Sequence, residues 1–476
     1  MDVIDSISKV LYTYVLVYLL VAAGIYFTIR TGFVQVRYFK RMLGQLVNSR
    51  GGGDGISSFQ AFCVGLASRV GTGNIAGVAI ALTVGGPGAI FWMWAVALIG
   101  MATAMIEATL GQIFKVRADD GTFRGGPAFY IQRGMGSRPG GVLFAVLLVF
   151  TFGFAFNMVQ ANAIADVLNT SHNIEINYTT IGLVLLAAPV LFGGVRRVAK
   201  VAEVVLPLMA LAYVLLALII IAINITNLPH AFAQIIGGAF GWEQMAGGFT
   251  GGIAVAMLNG VKRGLFSNEA GMGSAPNVAA TATVSHPVKQ GLIQSLGVFV
   301  DTIIICTATA LIILVSGPAI YDPHTPTKMA GASLTASAVA AGLGSWTTWL
   351  MTILVFVFAF SSVLGNYVYA EINLFFLGAR TRGITIFRLM VLAAIAVGAT
   401  SKLATVWDLA DISMGLMAIV NLVAIVLLGQ WAFAALRDFQ RQAAAGKDPV
   451  FVATEAGLPG RLDGDIWVQS RVPVAE

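Results

Sequence analysis

Eleven stretches of the chain are apolar for long enough, or nearly long enough, to cross a bilayer, and polar loops separate them. They cover residues 10–29, 56–84, 88–116, 140–168, 179–192, 198–225, 249–278, 291–315, 346–376, 384–399 and 406–433. A spanning helix needs about 20 apolar residues, and only the fifth and tenth stretches fall short. Hydrocarbon offers the backbone no hydrogen-bond partner, so each stretch predicts a helix. Between the first two, Phe33, Val36, Phe39, Leu43 and Leu46 recur at helical spacing opposite Arg37, Lys40 and Arg41. That pattern predicts an amphipathic helix lying in the membrane interface. From Gly446 onward periodicity disappears and the chain turns polar, which predicts a mobile tail.

Two of the predicted spans carry residues that oppose a continuous helix. The second holds Gly71, Thr72, Gly73 and Asn74 near its middle. The seventh holds "LNGVKRGLFSNEAGMGSAP", with four glycines, a proline and the charges of Lys262, Arg263 and Glu269. Asn259 and Gly260 are expected to mark the break there. An interrupted helix at membrane depth frees N–H and C=O groups, each costing several kcal/mol, roughly, if it faces hydrocarbon. Such a break persists where a ligand or another segment satisfies those groups. The N-terminal end of the second half-helix suits a carboxylate, and the carbonyl end of the first suits a cation.

Lys and Arg alternate between loops. Arg30, Arg37, Lys40, Arg41 and Arg50 follow the first span, and Lys115, Arg117, Arg124, Arg133 and Arg138 follow the third. Arg196, Arg197 and Lys200 follow the fifth, Lys289 the seventh, and Arg380, Arg382 and Arg388 the ninth. Arg437, Arg441, Lys447, Arg461 and Arg471 follow the last. The intervening loops hold Lys9, Lys328 and Lys402. The alternation predicts an outside N-terminus and a cytoplasmic C-terminus. Asp2 and Asp5 before the first span argue against a secretory signal peptide. The second to sixth spans and the seventh to eleventh then start on opposite sides, as inverted repeats with matching broken helices do. The expected fold is all-α and integral to the membrane. Its parts are an extra N-terminal helix with the interfacial helix (1–55), a first repeat and following loop (56–245), a second repeat (246–436) and a tail (437–476).

Composition supports this class. The chain is 58% hydrophobic and 11% charged, where a soluble domain carries roughly 25% charged residues, and mean hydropathy is +0.85. The net charge of +6 reflects topology signals in loops, so nucleic acid is not an expected partner. Cys63 and Cys306 lie in apolar segments and form no disulfide framework. Gly71, Gly73 and Ala76 match the dinucleotide pattern G-x-G-x-x-A, but no strand precedes them.

The stretches "SRVGTGNIAGVA", "GGPGAIFWMW", "FNMVQANAIAD" and "RGLFSNEAGMGSAP" occur in order. Together they resemble the alanine-or-glycine:cation symporter family (sodium:alanine symporters) over residues 56–420. The resemblance implies a LeuT-like five-plus-five inverted repeat and sodium-coupled uptake of alanine or glycine across a bacterial inner membrane. The ninth span departs from the family pattern in "LGNYVYAE", where Asn366 stands in place of an expected Trp, so the pocket's size is open.

Candidate roles follow. The substrate carboxylate is expected at the N–H groups of Gly73 and Asn74 and the Thr72 hydroxyl, with Gln160 as a further donor or acceptor. Asn259, Gly260 and Phe266 on the seventh span and Asn366 on the ninth are the other substrate-site candidates. For Na⁺, the carbonyls of Ala67 and Val70 and the hydroxyls of Ser361 and Ser362 offer hard, neutral oxygens. By resemblance, the ninth span crosses the second beside its break. Arg69, Lys262, Arg263, Glu107, Glu203, Glu269 and Glu371 are costly at membrane depth and are expected to face protein or water. Glu269 with a basic neighbour is a candidate cytoplasmic gate.

Other classes fit less well. The four histidines, His172, His230, His286 and His324, fall in predicted loops, so no span holds the His–carboxylate or Ser–His pairing of an intramembrane enzyme. A channel would show a filter motif or charged ring. A proton-coupled transporter of the same fold is the nearest alternative. Alanine or glycine, sodium and bilayer lipid are the expected partners, and oligomeric state is open.

Overall fold

The structure, a computed structural model, describes residues 2–49, 55–119, 121–192, 195–241, 251–323 and 331–468. Arg50, His324, Lys328, Arg471, the first residues of the expected seventh span and the side chains of Asp2, Asp5, Arg196 and Arg197 lie outside the described residues. The described chain is helical apart from one two-residue hairpin pair, Val116–Arg117 with Phe123–Arg124. Eight of its helices are long and apolar enough to cross a membrane, nine when one bent pair counts as a single span. The expected fifth span is the helix Ile176–Leu191, which at 16 residues is about 24 Å long and shorter than the hydrocarbon core.

The bent pair is Ser58–Arg69 with Gly73–Gly85, meeting at 48°. A reciprocal cap starts it: Ser57 Oγ accepts from the Gln60 amide at 3.0 Å, and Gln60 Oε1 accepts from the Ser57 amide at 3.1 Å. The helix stops at Val70, whose φ of −78° and ψ of 87° leave the helical region. It resumes as a widened turn, Gly73–Gly77, and continues as Val78–Gly85.

The seventh expected span also breaks, but not at Asn259 and Gly260. Helix Gly251–Asn268 runs unbroken through both, and the Asn259 amide bonds back to the Val255 carbonyl at 2.9 Å. Gly260 is there for packing, because a Cβ would come within 2.5 Å of the Ala89 carbonyl oxygen. The interruption lies further on, where Glu269, Gly271 and Gly273 take φ values of 57°, 86° and 83°. Glycine enters that region freely; Glu269 does so against its sterics. The short helix Ala275–Ala279 follows, with proline in its first turn. Beyond it Ala282 bridges to Ile56, and the Thr283 amide donates to the Ile56 carbonyl at 3.1 Å. The two broken helices are thus tied together at one end.

The remaining elements enclose this pair. Helix Gly88–Ile113 packs along it, and its C-terminus leaves Lys115 in the following turn. Pro287–Val315, Thr347–Phe376 and Arg138–His172 form the rest of the inner wall. Two shorter helices, Leu228–Phe240 and Ala332–Leu343, were not marked by the hydropathy pattern. His172 ends a helix and His230 lies within one, rather than in loops. In the interfacial segment, helices Val34–Arg37 and Phe39–Val47 form. Phe33, Val36 and Leu43 are exposed there, as an apolar face turned to lipid would be.

From Gly446 to Val468, the last described residue, the tail packs on the protein and is not the mobile segment its composition suggests. Helix Leu403–Ala444 carries the chain to it, and the tail then folds back. The Phe451 amide donates to the Ser285 carbonyl at 2.8 Å, and the Trp467 indole to the Gln112 carbonyl at 3.1 Å. Phe451 and Trp467 are both buried. Two aromatic anchors supply the burial that the polar residues between them lack.

Candidate substrate and cation site

At the first break, residues 70–74 meet the middle of helix Thr347–Phe376. Ser362 Oγ donates at 2.9 Å to the Ala67 carbonyl and lies 3.0 Å from the Phe358 carbonyl of its own helix. Ser361 Oγ donates to the Phe358 carbonyl at 2.9 Å. The approach is close enough to dictate sequence. A Cβ on Gly71 would stand 2.1 Å from Ser362 Oγ, and one on Gly365 2.8 Å from the Ser68 amide nitrogen. Ala67, Val70, Ser361 and Ser362 are all buried. Neutral hydroxyl and carbonyl oxygens of this kind suit an alkali cation.

On the other side of the break, the Thr72 amide donates to Gln160 Oε1 at 3.2 Å, and the Gly71 amide to Asn74 Oδ1 at 3.0 Å. The Thr72 hydroxyl is buried and has no hydrogen-bond partner among the described residues. Phe266 presses on Gly73, where a Cβ would come within 2.8 Å of its ring. Phe266 is sandwiched between Phe156, at 4.4 Å between ring centroids, and Trp407, at 4.6 Å. Thr335 Oγ1, on the short helix Ala332–Leu343, donates to the Ile75 carbonyl at 3.3 Å. At the break the Gly71, Thr72 and Asn74 amides thus have acceptors, the last in the Gly71 carbonyl at 3.2 Å, while the Thr72 hydroxyl is free and three aromatic rings form the wall.

Of the expected substrate residues, Thr72, Gly73, Asn74, Gln160 and Phe266 are brought together here. Asn259 and Gly260 lie away from the break, on the helix face described above. Asn366 sits one turn beyond Ser362 and belongs to a polar chain. Its Nδ2 donates to Asn157 Oδ1 at 3.0 Å, and its Oδ1 accepts from Ser68 Oγ at 2.9 Å. Ser68 Oγ also lies 2.8 Å from Glu269 Oε1, and Ser274 Oγ donates to Glu269 Oε2 at 2.5 Å. Glu269 thus has hydroxyl partners and no ion pair among the described residues, and Arg69 is the basic group that acts on it electrostatically. Arg69, 2% exposed, donates to the Gln294 carbonyl at 3.3 Å, and no carboxylate pairs with it among the described residues.

Several side chains around the break escaped the sequence reading. Asp301 meets Asn74 and Ser267, and Asp411 pairs with Arg263 at 2.5 Å and with Lys262 at 3.7 Å. Each is an acid within an apolar run, a signal equal to that of the charges singled out above. Trp407 carries no such signal, because an aromatic residue in an apolar span is ordinary packing. Among the described residues no group of three His, Cys, Asp or Glu side chains is placed to hold a metal ion.

The family model described as the sodium:alanine symporter family matches residues 1–453. A probable sodium/glutamine symporter of Bacillus subtilis is 49% identical over 456 residues, covering 94% of this chain and 92% of its own length. A sodium/alanine symporter of Methanococcus maripaludis is 38% identical over 435 residues, covering 90% and 94%. Among solved structures, a manganese transporter of Eremococcus coleocola superposes with a TM-score of 0.51 over 80% of each chain at 14% identity. That last likeness is one of fold alone.

Proposed function

This chain belongs to the sodium:alanine symporter family, a family of transporters rather than enzymes, and on that premise we propose that it imports alanine or glycine with sodium by alternating access. The observation that carries the reading is the contact between Ser362 Oγ and the Ala67 carbonyl, 2.9 Å apart, at the point where a membrane-depth helix is broken. One Na⁺ is assigned to the carbonyls of Ala67 and Val70 and the hydroxyls of Ser361 and Ser362. Those ligands come from two different elements, so filling the site favours one arrangement of the two, and binding becomes coupling.

The substrate carboxylate is assigned to the Gly73 amide and the Thr72 hydroxyl, and to the Asn74 amide in exchange for its 3.2 Å bond to the Gly71 carbonyl, with Gln160 beside them and Phe266 closing over the side chain. The unpaired Thr72 hydroxyl supports this, since a buried polar group without a partner is costly until a ligand meets it. The parts are assigned to two inverted repeats, 56–245 and 246–436, with the N-terminus outside and the tail inside a bacterial inner membrane. Sodium moving down roughly 100 mV releases about 2.3 kcal/mol, enough for about 50-fold accumulation of a neutral zwitterion.

The test is labelled alanine uptake by the purified protein in liposomes, with sodium and proton gradients imposed separately. Sodium-driven uptake is expected, with glycine competing and glutamine as the measure of pocket size. Ser362→Ala raises the sodium concentration for half-maximal uptake, and an unchanged sodium dependence in Ser362→Ala and in the Ser361→Ala/Ser362→Ala double variant refutes the site. Alanine and glycine both failing to compete refutes the substrate.

A further inference from the structure

Between Asp5 and Asp54 the chain has no acidic residue, yet it carries Lys9, Arg30, Arg37, Lys40, Arg41 and Arg50 there. Arg30 ends the helix Val17–Arg30, and Arg37, Lys40 and Arg41 lie on the interfacial helices Val34–Arg37 and Phe39–Val47. Their contacts are to rings and one carbonyl. The Arg30 guanidinium lies 5.7 Å from the Tyr26 ring centroid and 4.8 Å from that of Phe433, and Arg41 lies 5.0 Å from that of Phe439. Arg37 lies 5.8 Å from the Tyr38 ring centroid and donates to the Gly32 carbonyl at 3.3 Å. Lys40 is exposed. No ion pair joins any of these four among the described residues.

Acids on the helices packed against the segment are engaged elsewhere. On Leu403–Ala444, Asp411 pairs with Arg263 and Lys262, and Asp438 accepts from Arg441 at 2.5 Å and from Gln442 at 2.8 Å. On Gly88–Ile113, Glu107 accepts from Asn421 Nδ2 at 2.9 Å. The four cations therefore lack an anion within the protein.

The surface that presents them is apolar as well. Phe33, Val36, Leu43 and Val47 are exposed, whereas Val34 and Met42 are buried. Water suits the cations but not these side chains, and hydrocarbon suits the side chains but not the cations. A layer of acyl chains beneath phosphate oxygens suits both. A zwitterionic headgroup brings its own cation to its phosphate, whereas an anionic headgroup leaves the phosphate to the protein. Planar guanidinium groups match phosphate oxygens in pairs, and two of the three here are already oriented by aromatic rings of the last helix.

The segment is also joined to the broken helix. At its far end the Ser49 carbonyl accepts from the Phe59 amide at 3.1 Å, in the first turn of the half-helix Ser58–Arg69. In its middle the Phe39 ring meets Phe299 at 4.9 Å between centroids, in the widened turn Phe299–Cys306. That turn carries Asp301, which accepts from Asn74 Nδ2 at 2.7 Å. We propose that residues 30–49 bind anionic phospholipid, with Arg30, Arg37, Lys40 and Arg41 holding the phosphate, and that the bound lipid anchors the base of the first half-helix and so speeds transport. The transport half of the inference rests on the symport reading above; the binding half does not.

The experiment uses the full-length protein purified in a neutral detergent. It is mixed with phosphatidylglycerol, phosphatidylcholine or inorganic phosphate, and retained molecules are counted by native mass spectrometry. Phosphatidylglycerol is expected to be retained in preference to the other two. Arg37→Gln/Lys40→Gln should hold it more weakly, by about fivefold for each cation removed. Arg380→Gln/Arg382→Gln, which takes two charges from a different loop, should hold it as the unaltered protein does. Equal retention by Arg37→Gln/Lys40→Gln, equal loss in the control variant, or preference for inorganic phosphate each overturns the lipid site. If the double variant does not fold, Lys40→Gln, at an exposed position, carries the test. In liposomes, sodium-driven alanine uptake should rise several-fold when phosphatidylglycerol replaces part of the phosphatidylcholine, and Arg37→Gln/Lys40→Gln should lose that rise. A rise kept by the variant belongs to membrane surface charge in general and overturns the anchoring role. Absence of sodium-driven alanine uptake in every liposome refutes the symport reading instead, and the retention result then decides the lipid site alone.

Discussion

Gly71 and Ser362 meet so closely that no residue larger than glycine fits at 71 beside the serine without movement: a Cβ on residue 71 would stand 2.1 Å from Ser362 Oγ and 3.1 Å from Ser362 Cβ. Most of the clash belongs to the hydroxyl. Gly71→Ala should therefore lower the melting temperature and abolish sodium-driven uptake. Adding Ser362→Ala removes the oxygen and should restore much of the lost stability, a non-additive coupling of about 1–2 kcal/mol for residues in direct contact. Uptake stays impaired in the double variant, because the cation ligand has gone too. Thermal melts in detergent and sodium titrations of uptake on all four proteins check this, and additive melting shifts would refute the steric account.

Gln160 and Asn74 should behave differently, although both touch the same break. Gln160 contributes one bond, to the Thr72 amide at 3.2 Å. Asn74 caps Gly71 and also reaches Asp301 and Ser267. Gln160→Ala should raise KM for alanine with the fold retained. Asn74→Ala leaves the Gly71 amide and Asp301 short of partners, so it should also lower stability, by about 1–3 kcal/mol per unsatisfied group. Equal melting temperatures for the two variants would contradict this division.

The tail supplies a pH prediction. Lys115 is 3% exposed; its ammonium donates to the Ala282 carbonyl at 3.0 Å and lies beneath the rings of Phe123 and Trp467. Burial, with Arg117 beside it, pulls its pKa from the usual 10.5 down to about 7. The unfolded chain then holds a proton between pH 7 and 10.5 that the folded protein has released, so stability rises with pH across that window, by at most about 1.4 kcal/mol per unit. Melting temperature should climb from pH 7 to pH 9, and Lys115→Met should flatten the slope. Trp467→Ala should cost about 3 kcal/mol and, by admitting water to Lys115, reduce the slope as well.

These positions show how far sequence carried the structure. The first break was legible, because glycines and a polar pair at the centre of an apolar run have no other physical reading. The second was displaced by ten residues. Asn259–Gly260 and Glu269–Gly273 are equally poor helix formers locally, and only packing separates them: Gly260 abuts Ala89, whereas Glu269 is held in its unusual conformation by Ser68 and Ser274. Ser362 was legible as a hydroxyl in an apolar helix, but its meeting with Ala67 came through resemblance. The tail was not legible because its anchors, Phe451 and Trp467, stand far apart in a polar segment and are buried only once the fold brings them against each other and against groups elsewhere in the chain.

The ion pair of Arg263 and Asp411 provides the last prediction, because it supports an aromatic wall as well as the fold. The Arg263 guanidinium meets both Asp411 carboxylate oxygens at 2.5 Å and lies 4.4 Å from the Trp407 ring centroid, and that ring packs on Phe266. The Tyr12 hydroxyl donates to the Asp411 carbonyl at 3.1 Å, which ties the N-terminal helix to the same point. Removing one member of such a pair leaves the other charged and buried, at a cost of about 3–5 kcal/mol. Asp411→Leu alone should therefore destabilise severely. Arg263→Met/Asp411→Leu removes both charges at similar volume and should recover much of the melting temperature, with Lys262, whose side chain is 13% exposed, keeping its bond to Ser8 but losing Asp411. It does not return the guanidinium beneath Trp407, so the ring loses its cation–π partner, worth about 1–2 kcal/mol when desolvated. KM for alanine should consequently stay several-fold above that of the unaltered protein although stability has returned. Recovery of both together would mean that Trp407 is positioned by its apolar neighbours alone, and that the ion pair serves the fold and not the site.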